Sequence, residues 1–307
     1  MVIGTAALAQ DTPHTTEPTP TLANCPIYPA YHIWHARIGD LPAHPSSGHF
    51  TAAIGREENL HPDFGSGLWE GSPIGIPITI VEPTQARSGI DFHWKSESDP
   101  GPYPIPSAPS IEGGNDRHVI LLETASCILY ELYDVSKQSD GSWRAGSGAI
   151  FDLTSYQLRP RGWTSADAAG LPILPGLVRY DEVMSGSIDH ALRFTAPVTR
   201  RAYVWPARHH ASDQEHPAYP PLGQRFRLRA NYDTSGFSYE ARVIAEALKN
   251  YGMILADNGS PWFLSGTPDE RWNNEALRDL TRIRGEDFTA IDVTPLLIHP
   301  DSGQARR

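Results

Sequence analysis

Short apolar runs separated by turn formers fill the middle of the chain, a pattern that predicts strands rather than long helices. The runs Ile76–Val81, Ile90–Trp94, His118–Glu123 and Ile128–Tyr133 read as strands. So do Ala149–Leu153, Leu177–Glu182, Ile188–Thr195, Ala202–Trp205 and Gln224–Ala230. Within the last, Arg225-Phe-Arg-Leu-Arg229 alternates polar with apolar, the period of a strand with one wet face. Residues 26–75 show turn formers but no sustained period.

A helical period emerges only near the C-terminus. Ser238 can cap a helix whose stripe is Val243, Ile244, Ala247 and Leu248, and a short strand, Met253–Leu255, follows. Thr267-Pro-Asp-Glu270 has the form of a capping box with Pro at the first helical position, and Trp272, Ala276, Leu280 and Ile283 recur behind it. Between the first strands, Ser98-Asp-Pro-Gly-Pro-Tyr-Pro-Ile-Pro106 can be neither helix nor central strand. It reads as a rigid loop over a sheet face or a cleft rim. The expected fold is mainly β: a single β-sandwich or jelly-roll-like domain over residues 25–295, with two C-terminal helices packed on it and a tail at 296–307.

Composition agrees with this outline. Gly (26) and Pro (28) make up about 18% of the 307 residues, above the ordinary ~12%. The formal charge of −11 and the scattered arginines argue against a nucleic-acid partner. No run of 18 apolar residues is present to span a membrane. Residues 1–10 are small and apolar, and Ala7-Leu8-Ala9 fits a signal-peptidase site, so they read as the remnant of a signal peptide. A Thr/Pro-rich spacer over 11–24 follows. Export makes a disulfide the natural state of the only two cysteines, Cys25 and Cys127. Two buried, reduced thiols are the alternative.

The candidate chemistry lies mostly in residues 161–210. Asp167 sits on a small-residue loop, and Asp181 and Glu182, adjacent on an expected strand, point to opposite faces. Asp167 with Asp181 or Glu182 can supply the paired carboxylates of glycosidic bond cleavage, with His190 and Arg179 assisting. A turn-capping Asp167 and a surface Arg179–Asp181 salt bridge explain the same residues without function. Trp163 and Trp205 are candidate sugar platforms, with His118 and His209 beside them. The segment Asp91–Asp99 resembles a cleft rim. No nucleophile elbow, zinc-protease motif, phosphate loop or dinucleotide fingerprint occurs.

Five motifs resemble those of a family of exported microbial proteins: Ser98–Pro106, Ala145–Asp152, Gly162–Gly170, Tyr203–His209 and Tyr251–Gly259. The resemblance spans about residues 40–292. It implies export and a single domain, and it assigns no catalytic residue. The leading expectation is a secreted polysaccharide hydrolase, or less readily a lyase, that needs no cofactor. A non-catalytic glycan- or cell-wall-binding protein is the first alternative. A metalloprotein or oxidase using His118, His190 and His209 is the second.

Overall fold

The computed structural model describes residues 20–306, so the signal remnant at 1–10 and most of the spacer at 11–24 lie outside the described residues. The described residues form mainly strands in several sheets, with few helices and no closed barrel among them. A four-stranded sheet runs in the order Ser147–Asp152, Ile128–Tyr133, Val119–Glu123, Ile78–Val81, antiparallel except for the last pair. A six-stranded sheet runs Phe288–Ile291, Arg225–Leu228, Met253–Asn258, Leu192–Ala196, Phe263–Ser265, His61–Asp63, with mixed directions. Ile90–Phe92, Ser136–Lys137 and Trp143–Ala145 form a third, smaller sheet.

Val119–Glu123 is buried along its whole length because both faces of its sheet are covered. Ile120 and Leu122 join the main hydrophobic cluster. Val119 and Leu121 meet Tyr103 and Ile105 of the proline-rich loop, which packs over that face. A strand buried on both sides should be apolar, as Val119–Leu122 is, and the one charged residue, Glu123 at its end, is paired with Arg87. The six-stranded sheet contributes Leu192, Phe194 and Leu264 to the main cluster, where the Phe194 and Trp262 rings stack 5.5 Å apart.

Several expectations are corrected. The expected strand Leu177–Glu182 is instead a 3₁₀ turn at Leu174–Gly176 followed by a helix, Tyr180–Ser185. Asp181 and Glu182 in its first turn suit the positive end of a helix, and Gly186, at φ 101°, closes it. The Thr267 capping box does not start a helix. Trp272 is buried against Phe64 and Tyr180 and donates to the Thr267 carbonyl, so the helix begins later, at Asn274–Leu277, capped by Asn273. The other C-terminal helix is as expected: Tyr239–Asn250, capped by Ser238, with Val243, Ile244, Ala247 and Leu248 buried. A helix at Ser47–Ile54 arises in the segment that showed no period. Residues 296–306 do not hang free as a tail; Ala305 is buried, and Gly303 bonds to Ile33 and Tyr156.

The wet face expected for Arg225–Arg229 is covered by the N-terminal arm at Arg225 and in part at Arg227, and is exposed only at Arg229. Arg225 is buried, and its guanidinium donates to the Tyr251, Ile33 and Ala36 carbonyls at 2.7–2.9 Å. Arg227 reaches the Ile38 carbonyl at 2.5 Å. Cys25 and Cys127 form a disulfide, fastening the same arm to the hairpin between Val119–Glu123 and Ile128–Tyr133. Among the described residues no helix is long and apolar enough to cross a membrane.

The bridge closes a sequence separation of 102 residues, for which chain entropy assigns about 4.7 kcal/mol. Thiol titration of the unfolded, unreduced protein is expected to find no reactive thiol. Reduction is expected to lower the denaturant midpoint by up to about that energy, read from unfolding curves with and without reductant.

Candidate functional site

One face of the six-stranded sheet forms the floor of a cleft of about 1060 Å³. Strand alternation sends Leu192, Phe194 and Ala196 into the core and leaves Arg193 and Thr195 on the opposite face. Register then sets neighbours beside them. Thr195 pairs with Phe263, and Phe263 with His61; Ser265 pairs with Asp63. On the other side, a β-bulge between Phe194 and Thr195 brings Asp257 opposite Thr195. Bulges of this kind re-aim side chains near sites.

The walls come from elsewhere in the chain. The loop leading into Val119–Glu123 contributes Glu112, Asn115, Asp116 and His118, and a tight hairpin, Leu68–Trp69 with Ser72–Pro73, contributes Trp69. Gly113 lies so close to Ser72 that a Cβ there would fall 2.6 Å from the Ser72 side chain, which seats the hairpin against the loop. An adjoining lobe of about 430 Å³ is lined by Trp94, Glu97, Tyr133, Thr164 and His209. Asp116, Asp257 and Asn258 line both lobes. Trp69 and Trp94 are 60% and 44% exposed, so each lobe carries one large aromatic ring left open to solvent.

Arg193 is the fixed charge of the floor. Its Nε and Nη2 donate to the two oxygens of Asp167, both at 2.9 Å, and Nη1 donates to Ser265 Oγ at 2.6 Å. Asp257 lies 3.8 Å from Nη2. Burial, together with the neighbouring Asp167 charge, pushes the Asp257 carboxyl up to about 7, against the pull of Arg193 and His118. Burial also raises Asp63 and lowers His61. His118 Nδ1 bonds Glu112, and Nε2 lies 3.0 Å from the Ala166 carbonyl, so both ring nitrogens face acceptors. Burial opposes charge on this ring, but Glu112 outweighs it and lifts His118 to about 9. Glu112 is itself held low, the pull of His118 exceeding the effect of burial. Deeper still, Glu131 accepts the Ile173 and Leu174 N–H groups at 2.9–3.0 Å, and burial raises it to about 7.

Of the residues singled out from sequence, His118 and His209 line the cleft, and Asp167 lies beneath it as the partner of Arg193. The others lie outside it. Asp181 is on the surface, paired with Arg271. Glu182 is held by Arg179 and His190 in a separate, mostly buried cluster, where burial would raise it but Arg179, with His190 beside it, holds it low. Arg179 therefore pairs with Glu182 rather than with Asp181. Trp163 packs against the Arg159 guanidinium, and Trp205 donates to the Ser302 carbonyl; neither lines the cleft. His118, His190 and His209 do not converge: the first two are tied to different carboxylates, and His209 lies 3.6 Å from Glu97. Among the described residues no group of three or more His, Cys, Asp or Glu side chains is placed to hold a metal ion.

Sequence reasoning missed Asp257, Asp63, Arg193 and Trp69. Asp257-Asn-Gly and His61-Pro-Asp-Phe-Gly have the composition of turns, which hides their place on sheet strands. The Asp91–Asp99 segment does reach the site, through Trp94 and Glu97. Comparison of the chain with protein-family models, curated proteins and solved structures finds no match.

Linkage makes stability pH-dependent. Asp257 and Glu131 are raised above their unfolded values, so their contributions are lost as pH rises from about 4 to about 7. His118 is also raised, so its contribution is complete below about 6.5 and is lost as pH rises through about 9. Glu112, Glu182 and Asp301 are lowered, and their contributions are lost in acid. The buried His32, His35 and His61 are lowered, so their contributions are lost as pH falls below about 6.5 and oppose those of Asp257 and Glu131 there. Denaturant midpoints are therefore expected to decline from about pH 7 to pH 9 and to fall again in acid. His118→Gln should flatten the decline above pH 7. Asp167→Asn, which leaves Arg193 buried without its counter-charge, is expected to cost about 3–5 kcal/mol by the same measurement.

Proposed function

We propose that the protein is a secreted carbohydrate-active enzyme that hydrolyses a polysaccharide, with Asp257 as proton donor and Asp116 as base. The observation that carries this reading is a two-lobed cleft with a carboxyl raised to about 7 where the lobes meet and an exposed tryptophan in each lobe. Sugar rings present apolar faces that stack on aromatic side chains, and their hydroxyls suit a lining of carboxylates and amides. Glycosidic hydrolysis needs an acid that stays protonated near neutrality and a second carboxylate that stays ionised.

In this reading Asp257 gives its proton to the glycosidic oxygen as the bond to the anomeric carbon breaks. Asp116, on a separate wall, takes a proton from the water whose oxygen bonds to that carbon. Arg193 and Asp167 position Asp257 and tune its proton affinity. The disulfide supports export, since such bonds persist in oxidising compartments. We read the four- and six-stranded sheets as the two layers of a sandwich-like frame, because one hydrophobic cluster draws Ile120 and Leu129 from the first and Phe194 and Leu264 from the second.

The test is a screen of the purified protein for new reducing ends against xylan, laminarin, homogalacturonan, alginate and chitosan, with and without chelator. Turnover is expected on at least one. Asp257→Asn should lower kcat about 10²–10⁴-fold, and kcat/KM should fall as pH rises through about 7, where Asp257 loses its proton. Tight binding without turnover would instead make the protein a non-catalytic glycan-binding module.

A further inference from the structure

The arrangement of the two lobes bears on which bond is cut. Asp116, Asp257 and Asn258 are shared between them, so the candidate chemistry stands at a junction with lined space on either side. The larger lobe is lined beyond the shared residues by Trp69, Asp63 and His61. The smaller is lined beyond them by Tyr133, Trp94 and His209. A pocket built for a chain end has the opposite plan: its reacting group sits near the closed end, with one sugar beyond it. Here neither side of the junction is a stub. Each holds hundreds of cubic ångströms and has an exposed indole in its lining.

Exposure of both rings is informative in itself. Burying a large apolar side chain is worth about 1.5–3 kcal/mol, and half of this chain's eight tryptophans take that benefit in full: Trp34, Trp143, Trp262 and Trp272 are each at most 5% exposed. Trp69 and Trp94 do not. Trp69 sits at the turn of a two-stranded hairpin, beside Glu70 and Gly71, which both have positive φ. Its place is fixed by the contact between Ser72 and the Gly113 backbone. Trp94 is propped edge-on against His93 and tilted against Tyr133. Both rings are thus held by their neighbours with faces left to meet a ligand.

We infer that the enzyme is endo-acting: it binds an internal stretch of a glycan across the junction, with sugars stacked on Trp69 to one side of the scissile bond and on Trp94 to the other. This rests on the hydrolase reading and specifies its substrate as the interior of a polymer. It follows that affinity depends on length. A disaccharide fills one lobe, whereas a hexasaccharide reaches both aromatic rings.

The experiment is a time course on the same five polysaccharides, with products resolved by size, alongside tryptophan-fluorescence titration of the Asp257→Asn variant with matching di- and hexasaccharides. The expected result is a ladder of intermediate oligosaccharides from the first time points. Hexasaccharide should bind at least tenfold more tightly than disaccharide, and Trp69→Ala and Trp94→Ala should each weaken hexasaccharide binding about tenfold. Mono- or disaccharide as the sole product from the outset would overturn the endo-acting inference and leave the hydrolase reading intact. No cleavage of any of the five would overturn both.

Discussion

A guanidinium buried in the floor of a cleft is tolerable only if acceptors meet it there, and Asp167 meets Arg193 with both oxygens. That contact joins parts of the molecule that neither sheet unites alone. Arg193 belongs to a strand of the six-stranded sheet, whereas Asp167 belongs to the loop over 162–170. That loop is tied to the neighbouring strand by the Ala169 N–H to the Ala256 carbonyl, and to His118 through Ala166. The floor, one wall and the ionisation of Asp257 therefore depend on a single ion pair. Gly170 has φ 68°, and a side chain there would strike the Trp163 carbonyl, so the loop can turn back beneath the cleft only with glycine at this point.

The same device recurs through the fold. Arg159, Arg179, Arg193, Arg208 and Arg225 are all nearly inaccessible to solvent. Most of their donors end on main-chain carbonyls or on single carboxylates. Arg159 reaches the Thr164 and Glu97 carbonyls, and Arg208 reaches those of Arg159 and Pro300 together with Asp301. A chain rich in Gly and Pro has long stretches of backbone outside helices and sheets, and each buried carbonyl there needs a donor. The planar fork of arginine, with five N–H groups, serves several such carbonyls at once, which lysine cannot do in a fixed geometry. The irregular segments keep their shape because guanidinium groups are threaded between them.

This explains how much could be read from the sequence. Strands buried on both faces, such as Val119–Glu123, announce themselves as apolar runs, and the Ser238-capped helix announces itself by period. The alternation in Arg225–Arg229 was legible too, but an arginine facing water and one facing carbonyls look the same in one dimension. Asp181 and Glu182 likewise read as strand residues, since the αL glycine that ends their helix has no meaning until the first turn is known. The carboxylates that matter most at the site were hidden for a physical reason. Asp63 and Asp257 stand in segments with the composition of turns, and only sheet register, including a one-residue bulge, brings them together. Asp167 was visible as a residue of interest, but its partner Arg193 lies 26 positions away on another element.

The disulfide divides the cleft in a way that has little to do with its stabilising energy. Trp69, Trp94, Asp116 and His118 all lie between Cys25 and Cys127, inside the covalent ring, whereas Arg193, Asp257 and Ser265 lie outside it. A protease that cuts any one loop within the ring opens the chain but frees no fragment, because both pieces stay joined through the two sulfurs. The walls inside the ring thus remain tethered to the floor after a nick within it, and two such cuts would be needed to carry any part of them away.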